Sequence, residues 1–137
     1  MEPDFLRVGT CSLAAIPGEI DENLEKIKEW IVKAISEKID LLLFPELSLS
    51  GYWWNTELLY TAQPRDGPAI QELIKFLKEK QTEMVISVGL AESYGGCIYN
   101  TQIALTRTVS FPPIEKLIGR MPRWERGAAE IDTIPSN

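Results

Sequence analysis

Histidine is missing from this 137-residue chain altogether, and cysteine occurs only twice, at Cys11 and Cys97. The first absence excludes a Ser-His-Asp triad, a Cys-His dyad and any histidine-ligated metal within these residues. Two cysteines are too few for a zinc site built from thiolates alone. Both lie in strand-like segments, where a cysteine reads as a small core residue rather than a nucleophile. No metal and no cofactor is expected. Positive charge is scarce as well: 14 basic residues face 20 acidic ones, for a net charge of −6. That balance argues against a nucleic acid, whose backbone wants a basic face. No apolar run approaches the roughly 18 residues needed to cross a membrane. The opening Met1-Glu2-Pro3-Asp4 has no basic region leading into an apolar one, so no secretory signal is expected. The chain reads as cytoplasmic, with neither membrane nor nucleic acid as partner.

What remains is ordinary material for a soluble α/β domain, with 45% hydrophobic residues. At this length it suits a single domain, residues 1–137, able to bury roughly two thirds of its unfolded surface. One stretch organises it: Leu41-Leu42-Leu43-Phe44-Pro45-Glu46-Leu47-Ser48-Leu49-Ser50-Gly51-Tyr52. Four consecutive apolar residues read as a short strand covered on both faces. Pro45 ends it, because it has no N–H to extend a central ladder. Glu46 then stands at the carboxyl end of a buried strand, the edge where ligands collect in open α/β sheets. A carboxylate there is expected to be partly desolvated and a usable proton acceptor. The competing reading, on pattern alone, is a Glu that caps the following turn.

The flanking segments support a layered fold. Arg7 to Leu13 reads as a first strand, broken by Pro17-Gly18. Asp21 is placed to cap a helix whose Leu24, Ile27, Ile31, Ala34, Ile35 and Ile39 recur at three-and-four spacing. The charged residues between them form a solvated face. After Gly51, Tyr52-Trp53-Trp54-Asn55 either lines a substrate pocket or covers the sheet edge. A short helix is expected over 57–62. A second amphipathic helix follows Pro68, with Ile70, Leu73, Ile74 and Leu77 on one face. Met84 to Leu90 reads as a third strand, Ser93-Tyr94-Gly95-Gly96 as a hairpin turn, and Cys97 to Leu105 as its antiparallel return. Asn100, expected to be buried there, reads as a structural hydrogen-bonder. From Thr106 onward there are four prolines and little periodicity. The expected core therefore spans about 7–105, in the order β-α-β-α-β-β, with 106–137 a divergent tail.

Phe44-Pro45-Glu46-Leu47 followed by Ser50-Gly51-Tyr52 resembles the first signature of the carbon–nitrogen hydrolase, or nitrilase, superfamily. Val88-Gly89-Leu90-Ala91-Glu92 and Ile98-Tyr99-Asn100-Thr101 resemble the strand pair that follows there, and the likeness runs in order from Val8 to Leu105. The resemblance implies a partial α-β-β-α sandwich: one mixed sheet with helices on one face, its second half missing. It also implies hydrolysis of a non-peptide C–N bond in a small amide or nitrile by Glu, Lys and Cys. The cysteine would attack carbon, the Glu take its proton, and the Lys stabilise the charge that develops.

Glu46 fits the acid–base position residue for residue. For the cation, Lys116-Leu117-Ile118-Gly119-Arg120-Met121-Pro122-Arg123-Trp124 is the most similar run. It sets Arg123 at the lysine's place; Lys116 is the better chemical match but needs a shifted register. The two are not interchangeable, since arginine's planar fork carries its charge differently. Neither cysteine lies in the family's nucleophile context, and Gly127 to Thr133 resembles the lead into a second half. The expectation is an N-terminal part of such an enzyme, inactive alone. The alternative is a non-catalytic module that packs against a partner chain or a second copy of itself.

Overall fold

The computed structural model describes residues 4–52, 58–108, 110 and 112–120. Eight elements follow one another: β1 (Val8–Thr10), α1 (Ile20–Ser36), β2 (Leu41–Leu43), α2 (Leu58–Thr61), α3 (Pro68–Glu79), β3 (Val85–Tyr94), β4 (Cys97–Leu105) and β5 (Ile114–Arg120). The strands form one five-stranded sheet in sequential order. β1, β2 and β3 run parallel, and β4 and β5 return antiparallel, so the sheet is mixed as expected.

Helix periodicity becomes burial directly. Leu24, Ile27, Ile31 and Ala34 of α1 join Ala69, Ile70, Leu73 and Leu77 of α3 in one core. From the sheet, that core takes Leu42, Ile86, Val88, Leu90, Ile103 and Leu105. In a strand these alternate positions share a face, so both long helices cover the same side. Lys28 ties the two helices at their surface, its Nζ 3.0 Å from Glu72 Oε1 and 2.9 Å from Glu25 Oε1.

Several boundaries depart from the sequence reading. Asp21 is not the cap of α1. The helix begins at Ile20 with Glu19 as its N-cap residue and no capping side chain, leaving Asp21 in the first turn, where its charge suits the helix dipole. β1 is three residues long rather than spanning to Leu13. β3 continues through Glu92 to Tyr94 because β4 pairs with it to the hairpin turn. The sheet does not stop at Leu105 either. Ile114–Arg120 adds a fifth strand along β4, displaced by an irregularity at Ile98/Tyr99, within what reads as an aperiodic tail. Its residues are a mixture of apolar and charged, and Pro112-Pro113 just before them masks the strand onset.

Leu73 is completely buried between α3 and the sheet. Leu73→Ala is expected to destabilise the chain by about 2–5 kcal/mol through lost burial and the cavity left behind. A urea denaturation midpoint measured at unchanged slope reads this. A loss well below 1 kcal/mol would mean that the site collapses around the cavity, or that α3 is not part of the cooperative core.

Candidate active site

The chain leaves the sheet after Leu43, and its next residues fold over the edge of β3: Phe44 and Leu49 stay in the helix-side core, while the Pro45–Leu47 backbone lies against Gly89. Phe44 N–H still donates to the Ser87 carbonyl at 2.9 Å. Pro45 then releases the ladder, and residues 45–51 make a compact turn closed by Gly51 N–H on the Leu47 carbonyl at 2.7 Å. Leu47 takes a left-handed backbone, φ 50°, a conformation that costs a non-glycine residue about 1–2 kcal/mol. Surrounding contacts hold it there. Gly89 is the floor: a Cβ at that position would lie 2.3 Å from Leu47 N and 2.9 Å from the Pro45 carbonyl oxygen. Only a residue without a side chain lets the two backbones lie this close.

Serines fasten the turn. Gly89 N–H donates to Ser48 Oγ at 3.0 Å, Leu49 N–H to the Gly89 carbonyl at 2.9 Å, and Ala91 N–H to Ser50 Oγ at 3.2 Å. Ser48 and Ser50 are buried, their hydroxyls standing in for the strand that β2 no longer supplies. Sequence reasoning passed over both. The signal was there, two small hydroxyl residues flanking Leu49 after a strand-ending proline.

Glu46 projects from this turn. Tyr52 Oη donates to its Oε2, and Asn100 Nδ2 of β4 donates to its Oε1. One donor on each oxygen fixes the carboxylate in place. The expected desolvation is not found: Glu46 is exposed, at the part of the turn that lies away from the core shared by α1 and α3. Asn100 likewise differs from the expectation of a buried structural amide. It is half-buried, and its side chain serves the carboxylate. Tyr52, read as part of the signature and of an aromatic cluster, is its second partner. Trp53, Trp54 and Asn55 lie outside the described residues, as does Arg123. Lys116 is on β5, and its backbone pairs in register with Asn100.

The cysteines are placed elsewhere. Cys11 is a buried member of the core cluster that the two long helices share, and burial pushes its thiol up, opposed by the nearby Lys33 charge. A raised thiol is a poor nucleophile at neutral pH. Cys97 begins β4 beside the hairpin turn, and both thiols are free. A groove of about 620 Å³ between α3 and the hairpin contains a second carboxylate, Glu92. Glu92 is fully buried, with Arg65 Nε 2.6 Å from one oxygen and Thr101 Oγ1 2.7 Å from the other. One oxygen holds the segment before α3 to the hairpin, and the other ties β3 to β4 within it.

The family model for carbon-nitrogen hydrolases matches residues 7–120. An (R)-stereoselective amidase from a Pseudomonas species is 29% identical over 101 residues, which are 74% of this chain and 36% of that protein. A glutamine-dependent NAD+ synthetase from Acinetobacter baumannii superposes with a TM-score of 0.60 at 27% identity, over 76% of this chain and 19% of its own. An amidase from Nesterenkonia sp. superposes with a TM-score of 0.68 at 17% identity, over 81% of this chain and 42% of its own. The chain thus spans well under half the length of each of these relatives. Arg123 falls beyond the matched residues, whereas Glu46, Asn100 and Lys116 fall within them.

Gly89→Ala is expected to lift the Glu46 turn from the sheet, since backbone rather than a flexible side chain meets the new methyl group. Overpacking of this kind costs about 1–3 kcal/mol. The melting temperature should fall, and the side-chain amide signals of Asn100 should move as its contact with Glu46 is lost. Unchanged Asn100 signals would show that the turn is not set by this contact.

Proposed function

The chain belongs to the carbon-nitrogen hydrolase family, and from that premise we propose that Glu46 is the proton acceptor for hydrolysis of a non-peptide C–N bond in a small amide or nitrile. The observation that carries the reading is the carboxylate itself. It stands at the carboxyl end of β2 on the open sheet face, with a separate donor on each oxygen. Held this way, it keeps lone pairs directed away from Asn100 and Tyr52, available to a thiol or a water. The amidase relatives make a small amide the natural substrate class. In the proposed reaction a cysteine attacks the carbon, Glu46 takes the thiol proton, and a cation steadies the charge developing on oxygen or nitrogen. Arg123 has the family position for that cation, and Lys116 has the chemistry and a backbone paired with Asn100.

Neither cysteine of this chain supports the nucleophile's role, Cys11 being in the core on the far side of the sheet and Cys97 at the hairpin. The 137-residue chain alone is therefore expected to release no ammonia from a panel of small amides and nitriles. The acceptor role is tested in a chimera, with residues 7–124 replacing the matching region of the Pseudomonas amidase. Glu46→Gln should lower turnover there by about 10²–10⁴-fold, the usual worth of a positioned acid–base group. Lys116→Met and Arg123→Met compare the two cations in the same background. Activity that survives Glu46→Gln would overturn the assignment.

A second reading, a non-catalytic module held by association, is favoured by one observation. Large apolar side chains stand exposed on β1 and β5: Val8 at 50%, Ile114 at 80% and Ile118 at 47%. β1 and β5 are the two edge strands of the sheet, and an uncovered apolar edge strand is a ready place for another chain to pair. Light scattering across a concentration series is expected to give a mass above that of the monomer. A monomer at every concentration would remove this reading.

A further inference from the structure

We infer that Asn23 is a positioning residue for Glu46, acting from α1 on the far end of the turn that carries the carboxylate. This rests on the acceptor role proposed for Glu46. Asn23 is in the first turn of α1 and completely buried, an unusual place for an amide side chain. All of its bonds go to backbone. Its Oδ1 accepts from Ile16 N–H at 2.7 Å, and its Nδ2 donates to the Ile16 carbonyl at 2.8 Å and to the Leu49 carbonyl at 2.9 Å. Leu49 belongs to the Glu46 turn, three residues beyond the carboxylate. One side chain therefore joins the start of α1, the loop before it and the turn that presents the acceptor.

Two further contacts run along the same line. Gly18 N–H donates to the Ser50 carbonyl at 2.9 Å. Gly51, at φ 72°, lies so close to Pro17 that a Cβ would be 2.6 Å from the proline Cα. The turn is thus gripped from both directions: by Gly89 and the β3 edge on one side, and by the loop that Asn23 fixes on the other. Glu46 is exposed and meets Asn100 and Tyr52 only if this turn is set where it is. Removing the donated bonds would leave the Leu49 carbonyl buried without its partner, whereas the Ile16 carbonyl still accepts from Glu19 N–H at 3.2 Å, so the loss falls on the turn and favours its shift.

The side-chain amide of Asn100 reports the result, because it bonds directly to Glu46. In the 137-residue chain, Asn23→Asp keeps the side chain's size and its bond from Ile16 N–H, while an ionised carboxylate cannot donate to either carbonyl. The Glu46→Gln spectrum gives the reference for an Asn100 amide that no longer meets a carboxylate. Asn23→Asp should move the Asn100 amide and Tyr52 ring signals toward that reference. Leu24→Ala, a neighbouring core truncation that removes no side-chain hydrogen bond to the turn, should lower the melting temperature and leave those signals in place. Where Asn23→Asp does not fold, Asn23→Ser makes the same comparison. An Asn23 variant that melts earlier with both signals unmoved would reduce Asn23 to a stabilising role and overturn the inference. That outcome leaves the acceptor role intact. Chimera activity surviving Glu46→Gln would remove the acceptor role, while the coupling from Asn23 to the Asn100 signal would still be seen.

Discussion

Two backbones meeting with no side chain between them set everything at Glu46. The Pro45-Glu46-Leu47 segment lies directly on Gly89, nearer than any β-carbon would permit. This contact makes the turn part of the sheet's surface rather than a loop above it. The left-handed Leu47, the buried serines and the paired donors on Glu46 all depend on that approach. A larger residue at position 89 would leave the carboxylate no fixed place relative to Asn100 on the next strand.

The turn also solves a hydrogen-bonding problem that the sheet creates. β2 is only three residues long, and β3 is ten, so most of one edge of β3 would be left without partners. Buried backbone groups in that state cost about 1–3 kcal/mol each. Here the edge is served in succession: β2 first, then Ser48, Leu49 and Ser50, and finally Gln63, whose N–H meets the Ala91 carbonyl at 3.0 Å and whose carbonyl accepts from Ser93 at 2.9 Å. The residues that complete the ladder are thus those that carry the carboxylate. The site is a continuation of the sheet by irregular means.

Legibility in the sequence followed the range of the interaction responsible. The Leu41–Phe44 run, the stripes of α1 and α3 and the β3–β4 hairpin are local patterns, and each was readable because burial and periodicity act over a few neighbours. Glu46 was singled out by its place after a strand-ending proline. Asn23, Ser48 and Ser50 were not, since a polar residue in a helix or turn acquires its role only from the distant backbone it meets. The exposure of Glu46 was misjudged for a related reason. An apolar run says that the strand is buried, but does not say which layer covers the end of it. β5 was missed because its mixed residues make neither a clean alternation nor an apolar run, and only pairing with β4 specifies it.

The two faces of the sheet divide the work. On the helix side, Ile27, Ile31, Leu73, Leu77 and Ile86 are fully enclosed and supply the hydrophobic stabilisation. On the other side, Ser87, Gly89, Gln102 and Asn100 make a polar surface in which Gln102 Nε2 donates to Ser87 Oγ at 2.9 Å and reaches the Phe44 carbonyl at 3.3 Å. Polar residues there forfeit burial energy that apolar ones would contribute, which is the expected signature of a surface kept for recognition or chemistry. Stability and site are therefore built from alternate residues of the same strands. Leu42 faces the core two residues before the chain turns toward Glu46, and Thr101 holds Glu92 while its neighbour Asn100 holds Glu46. A one-residue slip of β4 against β3 would exchange these assignments, burying the amide among aliphatic side chains and removing it from the carboxylate. The register that packs the core is the same register that sets Asn100 against Glu46.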